Sequence, residues 1–207
     1  MNHIGIKVTL VVVLCSLIYF GFLRTPIPPK KQYNICQIFQ QNPRWYWATL
    51  ASERRWDIPI STQMAILREE SHFQADAKTH RIYLLGFIPW QRETTATGYA
   101  QAVNETWHLY LLEEHKKSAS RAQFVNATDF IGWYAHRAYL QAHILPSNVY
   151  SLYLAYHEGI DGYLHHSYLH KPWLVAVAHN VQTQAHLYHT QLLHCESSLA
   201  KKPWWSV

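Results

Sequence analysis

Residues 61–74, Ser-Thr-Gln-Met-Ala-Ile-Leu-Arg-Glu-Glu-Ser-His-Phe-Gln, decide how the chain is read. Ser61 follows Pro59-Ile60 and suits a helix N-cap, because its hydroxyl can accept from a free backbone N–H of the first turn. Met64, Ala65, Ile66 and Leu67 are apolar and compatible with a helix. At about 100° per residue, with Met64 at zero, Ile66 falls near ~200° and Leu67 near ~300°. Glu70 falls between them at about 240°, and Glu69 lies off that arc at about 140°. The spacing therefore predicts Glu70 on the apolar face and Glu69 on the wet one. A carboxylate on an apolar face is costly unless it is paired or protonated. Desolvation raises its pKa, which is how a carboxyl group becomes a general acid near neutral pH. A nearby arginine or backbone donor would satisfy it as well, so the helix alone leaves both readings open.

Two later stretches bear on the choice: Ala96-Thr97-Gly98-Tyr99-Ala100-Gln101-Ala102 and Ala155-Tyr156-His157-Glu158-Gly159. With Glu70-Ser71 ahead of them, in this order, the chain resembles the soluble lytic transglycosylase family. That family's pattern is a helix ending in Glu-Ser, then Gly-Leu-Met-Gln or a variant, then Ala-Tyr-Asn-Ala-Gly or a variant. The resemblance covers roughly Trp45 to Cys195. It departs where Tyr99-Ala100 replaces Leu-Met and His157-Glu158 replaces Asn-Ala, which touches sugar contacts and leaves the fold intact.

The resemblance implies a mainly α, lysozyme-like single domain, with a cleft between the Glu70 helix, the Gly98 turn and the Tyr156 turn. It implies peptidoglycan as substrate and Glu70 as the catalytic acid and base. The Tyr156 phenol is expected to hydrogen-bond the Glu70 carboxyl, and the Gln101 amide to face the sugar. Ser71 is expected to bond Glu70 or the sugar, with Gly98, Tyr99 and His157 completing the support. Most glycosidases use two carboxylates, and the matched motifs supply one. The family's mechanism needs no enzyme nucleophile and ends in a 1,6-anhydromuramyl product. No metal or cofactor is expected. Two alternatives stay open: a hydrolase of the goose-lysozyme type, and an inactive wall-binding or scaffold component of an envelope-spanning secretion machine.

The chain's 207 residues suit one domain plus an anchor. Aromatics at 14% and charged residues at 15% are a globular composition. The net charge of +5 suits anionic partners, the cell wall among them. No basic cluster is interleaved with stacking aromatics, which sets nucleic acid aside. The 15 histidines show no ligand spacing with an acidic or cysteine partner, so they read as surface residues and the metal expectation is none.

Residues 1–24 hold an apolar run, 4–23, long enough to span a bilayer, and read as a membrane anchor or signal segment. Cys15 raises a lipoprotein alternative, though Leu14 stands where a small residue is wanted. Residues 25–32 form a Pro-rich linker and 33–207 the domain. The resemblance places that domain in the bacterial periplasm, held to the inner membrane. Export would let Cys36 and Cys195 form a disulfide that ties the ends of the domain together; otherwise they are buried thiols.

Pro43 after Asn42 predicts a helix start, with a helix running to Trp56. Residues 75–95 lack a helical period and read as a long functional loop with a turn at Gly86. Tyr83 and Trp90 in that loop are candidate sugar-stacking platforms, or plugs onto the core. Further helices are expected from Gly98 to His115, from Asn126 to His143 with Asp129 in a capping box, and from Ser147 to Tyr156 with Gly159 as its stop. A last helix, about Trp173 to Leu193, is expected to deliver Cys195 to Cys36.

Overall fold

The computed structural model describes residues 27–79, 81–84, 88–92 and 94–201. The apolar run 4–23, Cys15 and Gly86 lie outside them, so the anchor, lipoprotein and turn expectations fall outside the described residues. No helix among the described residues is long and apolar enough to cross a membrane.

The order of elements is α1 (Ile35–Gln41), α2 (Pro43–Trp56), α3 (Ile60–Ser71), β1 (Arg81–Leu84), β2 (Ile88–Arg92), α4 (Asn104–Glu113), α5 (Phe124–Ala142), α6 (Val149–Glu158), α7 (Ile160–Leu164), a 3-10 turn (Ser167–His170) and α8 (Pro172–Leu199). Pro43 occupies the first turn of α2, where its missing N–H costs nothing. Asn148, rather than Ser147, caps α6 by accepting from Ser151 N. Gly159 ends α6 at φ 78°.

Ser61 is not the cap of α3. The helix starts at Ile60, and Ser61 is buried within it. The cap comes from α2 instead: the Glu53 carboxylate accepts from Ile60 N at 3.0 Å. Residues Ile60 to Leu67 are buried all round the helix, because α3 is packed between α2, α5 and the long α8. The α8 helix also packs on α1 and α6, and α2 pairs with α5.

The expected loop at 75–95 is partly regular. β1 and β2 form an antiparallel hairpin with Arg81 opposite Arg92 and Leu84 opposite Ile88. Two short runs rich in β-branched, aromatic and other apolar residues, flanking a glycine, are a hairpin signal that helical periodicity does not register. The segment from Gly98 is a turn, and the helix begins only at Asn104.

Asp129 is not in a capping box. The helix starts at Phe124, and Asp129 points inward, where it accepts from Trp56 Nε1 (2.9 Å), Tyr110 Oη (2.7 Å) and Lys116 Nζ (2.6 Å). Burial works to raise its pKa, and the bonds from Lys116, Trp56 and Tyr110 overcome that and hold it below the usual range. One buried carboxylate thus fastens α2, α4 and the connection after α4 onto α5.

A second knot is aromatic. Trp45 on α2 stacks on Phe124 at 4.0 Å and 2° between planes, and also meets Phe73 and Tyr99 at 5.7 Å each. It thereby gathers the turn after α3, the turn at Gly98 and the start of α5 around one indole. None of the histidines among the described residues is buried: His136 is half-buried and the others are exposed.

Cys36 on α1 and Cys195 on α8 form a disulfide with Cα atoms 6.0 Å apart. The last helix runs beyond the expected Leu193 and carries Cys195 to its partner as the sequence predicts.

Candidate active site

Glu70 stands in the last turn of α3. The chain reverses directly after it, with His72 and Phe73 both in the left-handed region at φ 51° and 60°. Each such non-glycine residue costs about 1–2 kcal/mol. Complete burial of Phe73 against Trp45 opposes that cost. The reversal returns residues 77–79 to the Gly98 turn, where Gly98 N donates to Ala77 O at 2.9 Å.

The two adjacent carboxylates differ as the helical wheel predicts. The Glu69 side chain is 28% exposed and lies 4.0 Å from Arg68. Glu70 opens onto the cleft, yet its Oε1 is sealed from solvent and has no hydrogen-bond partner. Burial raises the Glu70 pKa to about 8; the Tyr153 phenol opposes the rise and the neighbouring Glu69 charge adds to it. Glu70 is therefore protonated at neutral pH.

The cleft encloses about 430 Å³. Phe130, Tyr134 and Tyr156 give it aromatic walls, and Thr79, Thr94, Thr106 and Gln101 give it polar ones. Flat apolar faces and scattered hydroxyls are what a sugar ring, with its two apolar faces and polar edge, can use.

The motif residues fall in different places. Gln101, at φ 45°, donates its amide N–H groups to Ala77 O (3.1 Å) and Gly98 O (2.8 Å), so the site's face of this amide is its carbonyl oxygen. Tyr156 lines the cleft, but its hydroxyl donates to Ala100 O at 2.5 Å, which ties α6 to the Gly98 turn. The expected Tyr156–Glu70 bond is thus not made, because this hydroxyl is engaged with Ala100 O. Ser71 does not bond Glu70 either. It is buried and donates to Leu67 O at 3.1 Å, the usual outlet for a serine inside a helix. Tyr99 supports the site from the core, fully buried between Trp45 and Phe124, and does not line the cleft.

His157 lines the cleft mouth, exposed, with its ring edge-on to Trp173 at 5.2 Å. Tyr83 lies in β1 and Trp90 in β2, and their side chains are outside the described residues. No group of three or more His, Cys, Asp or Glu able to hold a metal ion occurs among the described residues.

The sequence left Glu158 open between lining the cleft and being solvated, and the structure puts it in the cleft lining. Glu158 is the other carboxylate lining the cleft among the described residues. Its side chain is only 4% exposed and is held by Lys171 Nζ at 2.8 Å, by Ser167 and by His157 at 3.1 Å. Burial pushes its pKa up, and these three partners outweigh burial and bring it down to about 2. The two cleft carboxyls are therefore tuned in opposite directions.

Gly98 has φ 80°, and a Cβ there would sit 2.3 Å from the Arg121 carbonyl oxygen. Neither the backbone conformation nor the space admits a side chain. We expect Gly98→Ala to lower stability by about 2–4 kcal/mol, from left-handed strain plus a clash with backbone. Gly159 has φ 78° but nothing within 4 Å of its would-be Cβ. Gly159→Ala should therefore cost less, about 1–2 kcal/mol. Urea titration of both variants compares them; equal losses would refute the clash argument.

A helical domain with one protonated carboxyl opening onto a cleft of sugar-ring dimensions is of lysozyme-like type. A family model described as the transglycosylase SLT domain matches residues 4–195, and the chain belongs to that family, whose function is of the lytic transglycosylase type and directed at peptidoglycan. The match takes in both cysteines of the disulfide and all three site motifs. No curated protein matches the chain, and no solved structure does.

Proposed function

We propose that this protein is a peptidoglycan lytic transglycosylase in which Glu70 alone serves as acid and base. The observation that carries the reading is the opposed tuning of the two cleft carboxyls. Glu70 holds a proton at neutral pH, as a general acid must. Glu158 is ionised and spent on Lys171, Ser167 and His157, which leaves no second cleft carboxylate among the described residues free to act as nucleophile or to activate water.

The chemistry then follows from the substrate. Glu70 gives its proton to the oxygen linking C1 of N-acetylmuramic acid to C4 of N-acetylglucosamine, and the C1–O bond breaks. The muramyl acetamido oxygen bonds to C1 and holds the positive charge as an oxazolinium. The Glu70 carboxylate takes the proton from the muramyl 6-hydroxyl, whose oxygen displaces the acetamido oxygen at C1. Glu70 ends protonated, no water is consumed, and the product carries a 1,6-anhydro ring. The Gln101 carbonyl oxygen faces the cleft as an acceptor for a sugar N–H or O–H.

Peptidoglycan strands are then the partner, and export to the periplasm, with the 4–23 run in the inner membrane, fits a disulfide-bearing domain behind an apolar segment. The test is digestion of purified peptidoglycan followed by mass analysis. Muropeptides ending in anhydromuramic acid, one water lighter than lysozyme products, are expected. Reducing-end muramic acid as the main product would replace this reading with hydrolysis.

A further inference from the structure

Arg68 and Glu70 stand two residues apart on α3, about 200° round the helix. Glu70 opens onto the cleft, and Arg68 lines a second pocket, of about 580 Å³, on the other side. Lys30 and Lys31 line that pocket too, and no Asp or Glu among the described residues does. Its amides are spent on the wall itself. Gln32 Nε2 donates to His72 O at 3.0 Å, and Asn34 Oδ1 accepts from Gln37 N at 3.0 Å. Gln191 on α8 accepts from Ile35 N at 2.9 Å and donates to Tyr33 O at 3.0 Å. Residues 32–35 are thereby pinned to the end of α3 and to α8, and the pocket is preformed.

The cations are not spent. The lysine ion pairs among the described residues are those of Lys116 and Lys171, so Lys30 and Lys31, both exposed, keep their charges open. The Arg68 side chain is only 14% exposed, and its guanidinium lies over the Tyr33 ring, 4.0 Å from the centroid. Glu69 stands 4.0 Å from Arg68 Nη1, beyond hydrogen-bond reach, and the Arg68 Nε–H is sealed from solvent with no partner. Such a guanidinium is desolvated without being neutralised, which favours an anion beside it.

We propose that this pocket binds the phosphate of a phospholipid headgroup and so seats the domain on the membrane with its cleft turned away from the bilayer. The inference rests on the reading of residues 4–23 as an inner-membrane segment given above. Residues 24–29 separate that run from Lys30, a reach of about 25 Å at most, which tethers the pocket near the headgroup layer. The fork of Arg68, held flat by Tyr33, matches phosphate oxygens, and Lys30 and Lys31 add point charges. Tyr33 is 63% exposed and Ile27 62%, an aromatic and an apolar side chain next to the lysines in the chain, as at a membrane–water boundary. With Arg68 toward the lipid, the far side of α3 presents Glu70 to a glycan strand arriving from the wall.

The experiment places the full chain in lipid nanodiscs, of phosphatidylcholine alone or with phosphatidylglycerol as half of the lipid. Lysines are acetylated, and the rate at each is read by mass spectrometry. Phosphatidylglycerol should slow Lys30 and Lys31 by about 5-fold or more, with Lys117, exposed and outside the pocket, as the unmoved reference. Arg68→Gln should return both to the phosphatidylcholine rate. Arg68→Lys keeps the charge and loses the fork, so it too should lose most of the protection, and it decides the matter if the glutamine variant does not fold. Equal rates in the two discs, slowing of all three lysines alike, or protection that survives Arg68→Lys would overturn the proposal. Inorganic phosphate added to phosphatidylcholine discs should protect far less; protection equal to that by phosphatidylglycerol would overturn the headgroup in favour of free phosphate. A chain that does not stay with the discs defeats the membrane reading. Short-chain, soluble phosphatidylglycerol then tests the pocket alone: slowing confined to Lys30 and Lys31 upholds it, and no slowing overturns it.

Discussion

Glu70→Gln is expected to give an inert protein that is more stable than the wild type. Removal of the proposed general acid should cost about 10³-fold or more in rate. The gain in stability follows from linkage. The folded-state pKa of about 8 lies above the ordinary carboxyl value of 4.5. Below pH ~4 both folded and unfolded states hold the proton, and the group has no effect on stability. Between those two values the unfolded chain releases a proton that the folded chain keeps, so stability falls as pH rises. The loss is about 3 kcal/mol at pH 7 and approaches 5 kcal/mol above pH 8. Glutamine fits the same space without a charge to desolvate. The Tm of the variant should therefore match wild type near pH 4 and exceed it by a widening margin toward pH 8. Glu69→Gln, at a partly exposed position beside Arg68, should change little in either measurement. A Tm gap that is constant with pH would refute the buried-acid account. Equal loss of activity in both variants would refute the assignment of roles along α3.

Reduction of the Cys36–Cys195 bond is the second large expected effect. The bond closes a loop with a sequence separation of 159. Chain entropy alone assigns such a closure about 5 kcal/mol, acting on the unfolded state. For a domain of this size that corresponds to a fall in Tm of about 10–20 °C. Both cysteines are half-buried, so a mild reductant in partial denaturant should reach them. Thermal melts of oxidised protein, reduced protein and the Cys36→Ser/Cys195→Ser double variant provide the measurement. The latter two should agree and lie well below the first. A reduced protein that melts with the oxidised one would show that the α1–α8 contacts already confine the unfolded chain.

Different parts of this structure were visible in the sequence for different reasons. The Glu69/Glu70 asymmetry was legible because helical period is a strong, local signal. The start of α2 was legible because proline after asparagine has one favourable place in a helix. The cap of α3 was not: it comes from Glu53, seven residues away across a helix–helix turn, and a local rule chose Ser61. Asp129 fits a capping pattern on paper, and its actual partners, Trp56, Tyr110 and Lys116, converge on it only through tertiary packing. The same limit explains Tyr156. A motif names the residue types near a carboxyl, but the partner its hydroxyl finds, here Ala100 O, depends on the roll of α6 about its axis. That roll is set by Leu152, Leu154 and Ala155 in the core. Tyr99 went into the core because Trp45, Phe73 and Phe124 form an aromatic socket there, assembled from three separate segments.

The disulfide has a mechanical side. Cys36 stands two residues into α1, and Cys195 stands near the end of α8. Tension applied at residue 27 and at residue 201 meets at the covalent bridge after crossing only short stretches of chain. The loop of residues 37–194, which holds Glu70, Gln101, Tyr153 and the Gly98 turn, lies off that line of force. A pull on either tail can peel the first turn of α1 or the last turn of α8, but it cannot draw α3 away from α6. The cleft is shielded from load applied between the two ends of the domain.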